Sequence, residues 1–183
     1  MKVSLPADPP AQPKPSPALS QMNLLAGNIR SRKVAILIAD GVSESDVNDL
    51  FDELDKEGAH AKLIAPSATP VAADSGASLV PDGTWDGLPS VAFDAVYVPG
   101  GAASSQAMSN DGHALHYLLE AYKHLKPLAF SGDAQALATQ LSLAADPGLV
   151  LGATAMDVFA KFHQALAQHR IWQREAAIAK IPA

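Results

Sequence analysis

Four stretches of this chain are apolar without alternation. Residues 33–40 read KVAILIAD, residues 93–101 FDAVYVPGG, residues 126–131 KPLAFS and residues 148–152 GLVLG. A strand with one wet face alternates polar and apolar residues. A run that does not alternate is buried on both faces, as in a parallel sheet covered by helices on either side. Helix patterns stand between the runs. Ser43 reads as an N-cap with Asp46 three residues on, a capping-box variant. Val47, Leu50, Phe51 and Leu54 then recur at helical spacing, and Gly58 supplies the stop. The segment HAKLIA, residues 60–65, is a second strand and completes a βαβ unit.

The rhythm continues after an interruption. Short segments around Asp74–Gly76 predict a small hairpin, and Trp85 reads as a packing anchor. Asp111 should cap a helix over residues 113–125 that buries Leu115, Leu118, Ala121 and Tyr122. A strand at 128–131 leads into a helix at 134–141. A last helix at 156–169 turns Val158, Phe159, Phe162, Ala165 and Leu166 inward. The expected fold is α/β and flavodoxin-like: an open, mostly parallel sheet with helices on both faces, plus the hairpin. Aromatic residues are only 5% of the chain against 48% hydrophobic residues, so the core should be aliphatic. Residues 32–183 form this domain. Residues 1–31, punctuated by Pro6, Pro9, Pro10, Pro13, Pro15 and Pro17, read as an extended linker or arm. Leu19, Met22, Leu24 and Leu25 are more apolar than a spacer needs and predict an arm lying on a surface, its own or a neighbour's.

Absent chemistry narrows the function. The chain has no cysteine, which excludes disulfides, thiolate catalysis and cysteine metal sites. Its net charge is −6, yet residues 1–33 hold Lys2, Lys14, Arg30, Arg32 and Lys33 against Asp8 alone. The body is therefore strongly acidic, which argues against a nucleic-acid partner. The apolar runs are too short to span a bilayer and the first residues lack the apolar region of a signal peptide. A soluble, cytoplasmic protein is expected.

In open parallel sheets ligands bind beyond the carboxyl ends of the strands. Three loops should converge there: residues 40–43, 99–102 and 131–133. Ser131 is the elbow hydroxyl, a nucleophile if a base lies within reach, otherwise a small residue ending a strand. Asp133 is a general base if burial raises its pKa, but its commoner role is to cap the following helix. Asp40 and Glu44 flank the same cleft and could join Asp133 around a cation, although loop acids are usually only solvated. His113 and His116 stand at i, i+3, while His124, His163 and His169 are scattered. Without an adjacent acid motif these read as polar edges of amphipathic helices. VPGGAASSQ lacks the lysine of a P-loop and the dinucleotide fingerprint.

VAILIADGV, DAVYVPGG and KPLAFSGDA, in this order, resemble the PfpI-type, class I glutamine-amidotransferase-like fold. The resemblance implies a glutamate in the first loop, oxyanion-binding backbone N–H groups in the Pro-Gly-Gly loop, and a cysteine followed by a histidine at the elbow. Here Ser43 takes the glutamate position with Glu44 beside it. Gly100 and Gly101 match the oxyanion loop, and Gly132 and Asp133 stand where cysteine and histidine would be. The cleft at Asp40, Ser43, Gly100, Gly101, Ser131, Gly132 and Asp133 therefore reads as vestigial, with no catalytic, cofactor or metal residue. A PfpI-type hydrolase or small-ligand module using Ser131-Gly132-Asp133 is the alternative.

SPALS, RKVAIL, LLEAYKHLKP, the elbow GDA and the tail HRIW to KIPA resemble the C-terminal domain of large-subunit, haem-containing monofunctional catalases over nearly the whole chain. No haem-pocket segment can be found. The resemblance implies a detached terminal domain, with Met1 as an added or internal start. It further implies a non-catalytic accessory module supporting stability and oligomer assembly of a peroxide-degrading parent, with haem only in the parent's core. Partners would be that core, neighbouring subunits and further copies of the chain. The arm and the apolar tail (Ile171, Trp172, Ile178, Ile181) fit such docking, and exposed in isolation they would capture unfolded client proteins.

Overall fold

The computed structural model describes residues 27–181 together with Ser16, Pro17 and Ser20. The apolar arm residues Leu19, Met22, Leu24 and Leu25 lie outside the described residues. The first βαβ unit is β1 (Lys33–Leu37), α1 (Glu44–Lys56) and β2 (His60–Ala65). The Ser43 hydroxyl accepts from Asp46 N at 3.3 Å and starts α1, and Gly58 at φ +72° ends it. The short β3 (Val71–Ala72) and β4 (Ser78–Leu79) pair antiparallel as the expected hairpin, followed by β5 (Gly83–Thr84). Then come β6 (Ala95–Val98), α2 (Ala102–Ser109), α3 (Gly112–Lys123), β7 (Leu128–Ser131), α4 (Gln135–Gln140), β8 (Leu149–Gly152) and α5 (Ala155–Gln168). The Asp111 carboxylate accepts from His113 N and Ala114 N, and Thr154 and Asp157 form a reciprocal capping box on α5.

The main sheet has the order β5-β2-β1-β6-β7-β8, parallel throughout. The chain winds outward from β1 in one direction and from β6 in the other. The crevice between these two strands is the topological switch point, and the loops after β1 and β6 flank it. Alternate strand residues feed opposite faces. Val34, Ile36, Tyr97, Ala129 and Val150 pack under α1 and α5, while Ala35, Leu37, Val96, Val98, Leu128 and Phe130 pack under α2, α3 and α4. Two buried faces are why the strand sequences do not alternate.

Some details differ from the expected pattern. Phe51, read as part of the α1 core face, is 40% exposed, because the helix already fills that face with Val47, Leu50 and Leu54. Leu115 and Phe159 are only partly buried, and Tyr117 takes the inward place in α3. The stretch after Pro-Gly-Gly forms a helix, α2. Packing begins ahead of Arg32, since Ile29 is fully buried beneath α1 and α5. The tail, residues 172–180, is a 3₁₀ helix held on the body. Ile171 is fully buried, with its N–H on Leu125 O at 2.8 Å. Arg174, only 3% exposed, grips Asp146 through two bonds of 2.8 and 2.9 Å. It also lies 3.7 Å from the Tyr122 ring centre and donates to the carbonyls of Tyr122 and Lys126. Ile171 and Ile181, read as docking residues for a partner, therefore pack on their own domain.

Candidate functional site: a buried acid at the switch point

The loops after β1, β6 and β7 meet as the sequence predicts. Gly101 (φ +117°) lies against the first loop so closely that a Cβ would stand 2.2 Å from Gly41 O. Only glycine permits this approach. Ser43 N donates to Gly100 O at 2.8 Å and ties the same two loops.

The group at the centre is one the sequence reading took for a cap. Asp46 sends its carboxylate into the crevice instead of back to the Ser43 N–H. Its Oδ2 accepts from Ser131 Oγ at 2.5 Å and from Gly100 N at 3.0 Å, and its Oδ1 from Ala155 N at 2.8 Å. Gly100 N also reaches Ser131 Oγ at 3.0 Å, and Tyr97 OH lies 2.7 Å from the same hydroxyl. A serine hydroxyl has one proton, and here it goes to Asp46, so Tyr97 must donate to Ser131. Burial raises the Tyr97 pKa far above the usual phenol value, with the Asp46 charge adding to it against the Ser131 hydrogen bond, so the proton stays in place. Asp46 is 6% exposed and Ser131 fully buried. α1, α5, β6 and β7 are thus joined at one carboxylate, and a backbone N–H of the Pro-Gly-Gly loop is spent inside the protein.

The remaining candidates sit around this knot without joining it. Ser43 is the α1 N-cap, so the acid facing the elbow is Asp46, one turn further on. The Asp40 carboxylate is exposed and accepts from Ala72 N at 2.9 Å, anchoring the hairpin. Glu44 accepts from Ser75 Oγ, and its N–H donates to Asp74 at 3.0 Å. Gly132 (φ +50°) begins a 3₁₀ turn, Gly132–Ala134. A Cβ there would meet Gly100 Cα at 3.4 Å and Ala153 O at 3.5 Å, ordinary contacts. The elbow has room for a side chain and lacks one. Asp133 is exposed, and neither the 3₁₀ turn nor α4 has a side-chain cap, which corrects its reading as a helix cap. His113 pairs with Asp86 at 3.0 Å, His163 with Glu57 at 3.7 Å and His169 with Asp94 at 3.1 Å, while His116 and His124 are exposed. Among the described residues no group of three or more His, Asp or Glu could hold a metal ion. Asp46 was hidden because its spacing from Ser43 suits a capping box equally well.

Known structures of the same architecture define the class. A DJ-1 superfamily protein of Salmonella typhimurium superposes with a TM-score of 0.64 at 17% identity, over 83% of this chain and 100% of its own. Drosophila melanogaster DJ-1beta gives 0.65 at 16% identity, over 82% and 96%. The fold is that of the DJ-1/ThiJ/PfpI proteins, as the three loop motifs implied.

The family is narrower than the fold. Residues 30–176 match the model of the C-terminal domain found in long catalases, and the chain belongs to that family. It is 75% identical over 183 residues to Catalase HPII of Pseudomonas aeruginosa, covering all of this chain and 26% of that protein. It is 45% identical over 171 residues to Catalase-B of Dictyostelium discoideum, covering 93% of this chain and 25% of that protein. The chain thus spans about a quarter of the length of these relatives.

Proposed function

We propose that this chain is a non-catalytic accessory domain of a long catalase, stabilising the larger protein and its oligomer. Peroxide breakdown would belong to the three quarters of the relatives that the chain does not cover. The observation that carries this reading is the buried knot at Asp46. The elbow offers Gly132 in place of a nucleophile, and the nearby hydroxyl, Ser131, is sealed from solvent and committed to Asp46. A hydrolase reading needs Ser131 to meet substrate, and its burial opposes that.

Haem would sit in the rest of the parent. The phenols here are held within the domain, Tyr97 with Ser131, Tyr117 with Leu88 O and Tyr122 with Ala144 O. The family membership supports the parent's core and neighbouring subunits as partners. Client capture by an isolated domain would have to use Phe51, Val80, Val91, Leu151 and Met156, the exposed large hydrophobics among the described residues, because much of the apolar tail is tucked in. No helix among the described residues is long and apolar enough to cross a membrane.

The test is a pair of long catalases, whole and truncated before this domain, compared for peroxide turnover per haem, melting temperature and light-scattering mass. Equal turnover per haem with a lower melting temperature or smaller assembly is expected. Turnover lost from an otherwise intact, haem-loaded truncation would overturn the reading, as would peroxide turnover by this chain alone.

A further inference from the structure

Ile29 enters the body packed among α1 and α5 residues. Ser31 N donates to Gly58 O at 2.7 Å, so this entry lies beside the C-terminal end of α1. Phe51 stands seven residues back along that helix, about 10 Å by helical rise. It is the one exposed Phe, Tyr or Trp among the described residues. α5 does not reach it. The bonds from Asp46 to Ala155 and from Glu57 to His163 mark the flank of α1 that faces α5. Phe51, five residues from Asp46, is about 140° round the helix. That opposite flank looks over β2, where Ala61 and Leu63 lie half-buried against the core.

The arm carries what this flank lacks. Leu24 and Leu25 precede Ile29 by five and four residues, about 13–17 Å of extended chain, enough to come up alongside Phe51. Asp52 and Asp55 border Phe51 on α1, and the arm is basic, with Lys14 and Arg30 among its charges. We propose that Leu24 and Leu25 dock on the α1 flank against Phe51, Ala61 and Leu63, fastening the arm to its own domain. The point at which the chain departs toward the rest of a longer protein then lies near Met22, with a fixed direction, instead of at Ile29. The docking concerns this chain alone, so its failure would leave the accessory-domain reading standing.

The chain has no cysteine, so one introduced thiol can carry a spin label without competition. With a nitroxide on Asn23→Cys in the full chain, the Phe51, Ala61 and Leu63 NMR signals should lose intensity and recover when the nitroxide is reduced. Leu24→Ser with Leu25→Ser, or Phe51→Ser alone, should abolish the loss while the rest of the spectrum stays native. Intensity loss confined to residues 27–32, or centred on the hollow that Leu119 of α3 and Leu141 and Leu143 after α4 line on the other face, would overturn the proposal. So would loss seen only between separately labelled copies, which would make a second chain the occupant.

Discussion

Asp46 accepts from three donors, Ser131 Oγ, Gly100 N and Ala155 N, and of these Gly100 N alone has a further acceptor, Ser131 Oγ. Removing the carboxylate strands them in a dry site. Asp46→Ala is expected to cost about 3–5 kcal/mol in urea unfolding, in the manner of a broken buried charge contact. Asp46→Asn keeps acceptors on one side and should cost less, about 1.5–3 kcal/mol. An Asp46→Ala protein as stable as the parent would mean the knot contributes nothing. The glycines give a second contrast. Gly101→Ala meets Gly41 O at 2.2 Å and carries φ +117°, so it should lose about 3 kcal/mol or more. Gly112→Ala meets nothing within 4 Å and should gain about 0.4–1 kcal/mol by stiffening the unfolded chain. The Gly-Gly motif was legible in the sequence, but the role of Asp46 was not, since a carboxylate three residues after an N-cap can turn either way.

Among elements, strands and capped helices were readable because each has a local cause. The Thr154–Asp157 box starts α5 and Asp111 starts α3, whatever lies beyond them. α2 escaped notice because its start is a bare glycine, Gly101, with no side-chain cap to announce it. The tail was misjudged for a different reason. Its apolar residues are too few to indicate a docking face, and its main anchor is a buried arginine. Arg174→Ala should free residues 172–180 from the body, leaving Asp146 without its ion-pair partner. Amide exchange at Ile171, whose N–H is on Leu125 O, should rise by orders of magnitude while strand amides in β1 and β6 change little. Arg174→Lys cannot reproduce the two-pronged contact and should fall between. Unchanged exchange at Ile171 in Arg174→Ala would show that packing alone holds the tail.

At the scale of the whole molecule, buried titratable groups give stability a shape in pH. Burial pushes the Lys126 pKa down from 10.5 to about 8, while its ammonium donates to Ser90 O at 2.5 Å. The folded chain releases this proton before the unfolded chain does, so the unfolded state binds more protons between about pH 8 and 10.5 and stability should rise with pH there. Tyr97, Tyr117 and Tyr122 are shifted upward, chiefly by burial, so above the ordinary phenol value of 10.0 the unfolded state loses protons first and stability should fall. Urea midpoints should therefore climb above pH 8 and turn over near pH 10. In Lys126→Met the climb should vanish and the fall remain. A climb that persists in Lys126→Met would assign it to another group.

The sequence by itself determined the layered α/β architecture, the hairpin, the convergence of three glycine-bearing loops and the catalase-domain resemblance. Each rests on local pattern: apolar runs, caps, and motifs that stay contiguous along the chain. Tertiary structure alone decided that Asp46 and Ser131, 85 residues apart, share a proton contact at 2.5 Å, and that Ala155 closes the same knot. It also decided that Arg174 folds the tail onto Asp146 and Tyr122. A side chain's partner across the sheet depends on strand order and on the rotation of each helix about its axis. Neither quantity is written in any one segment.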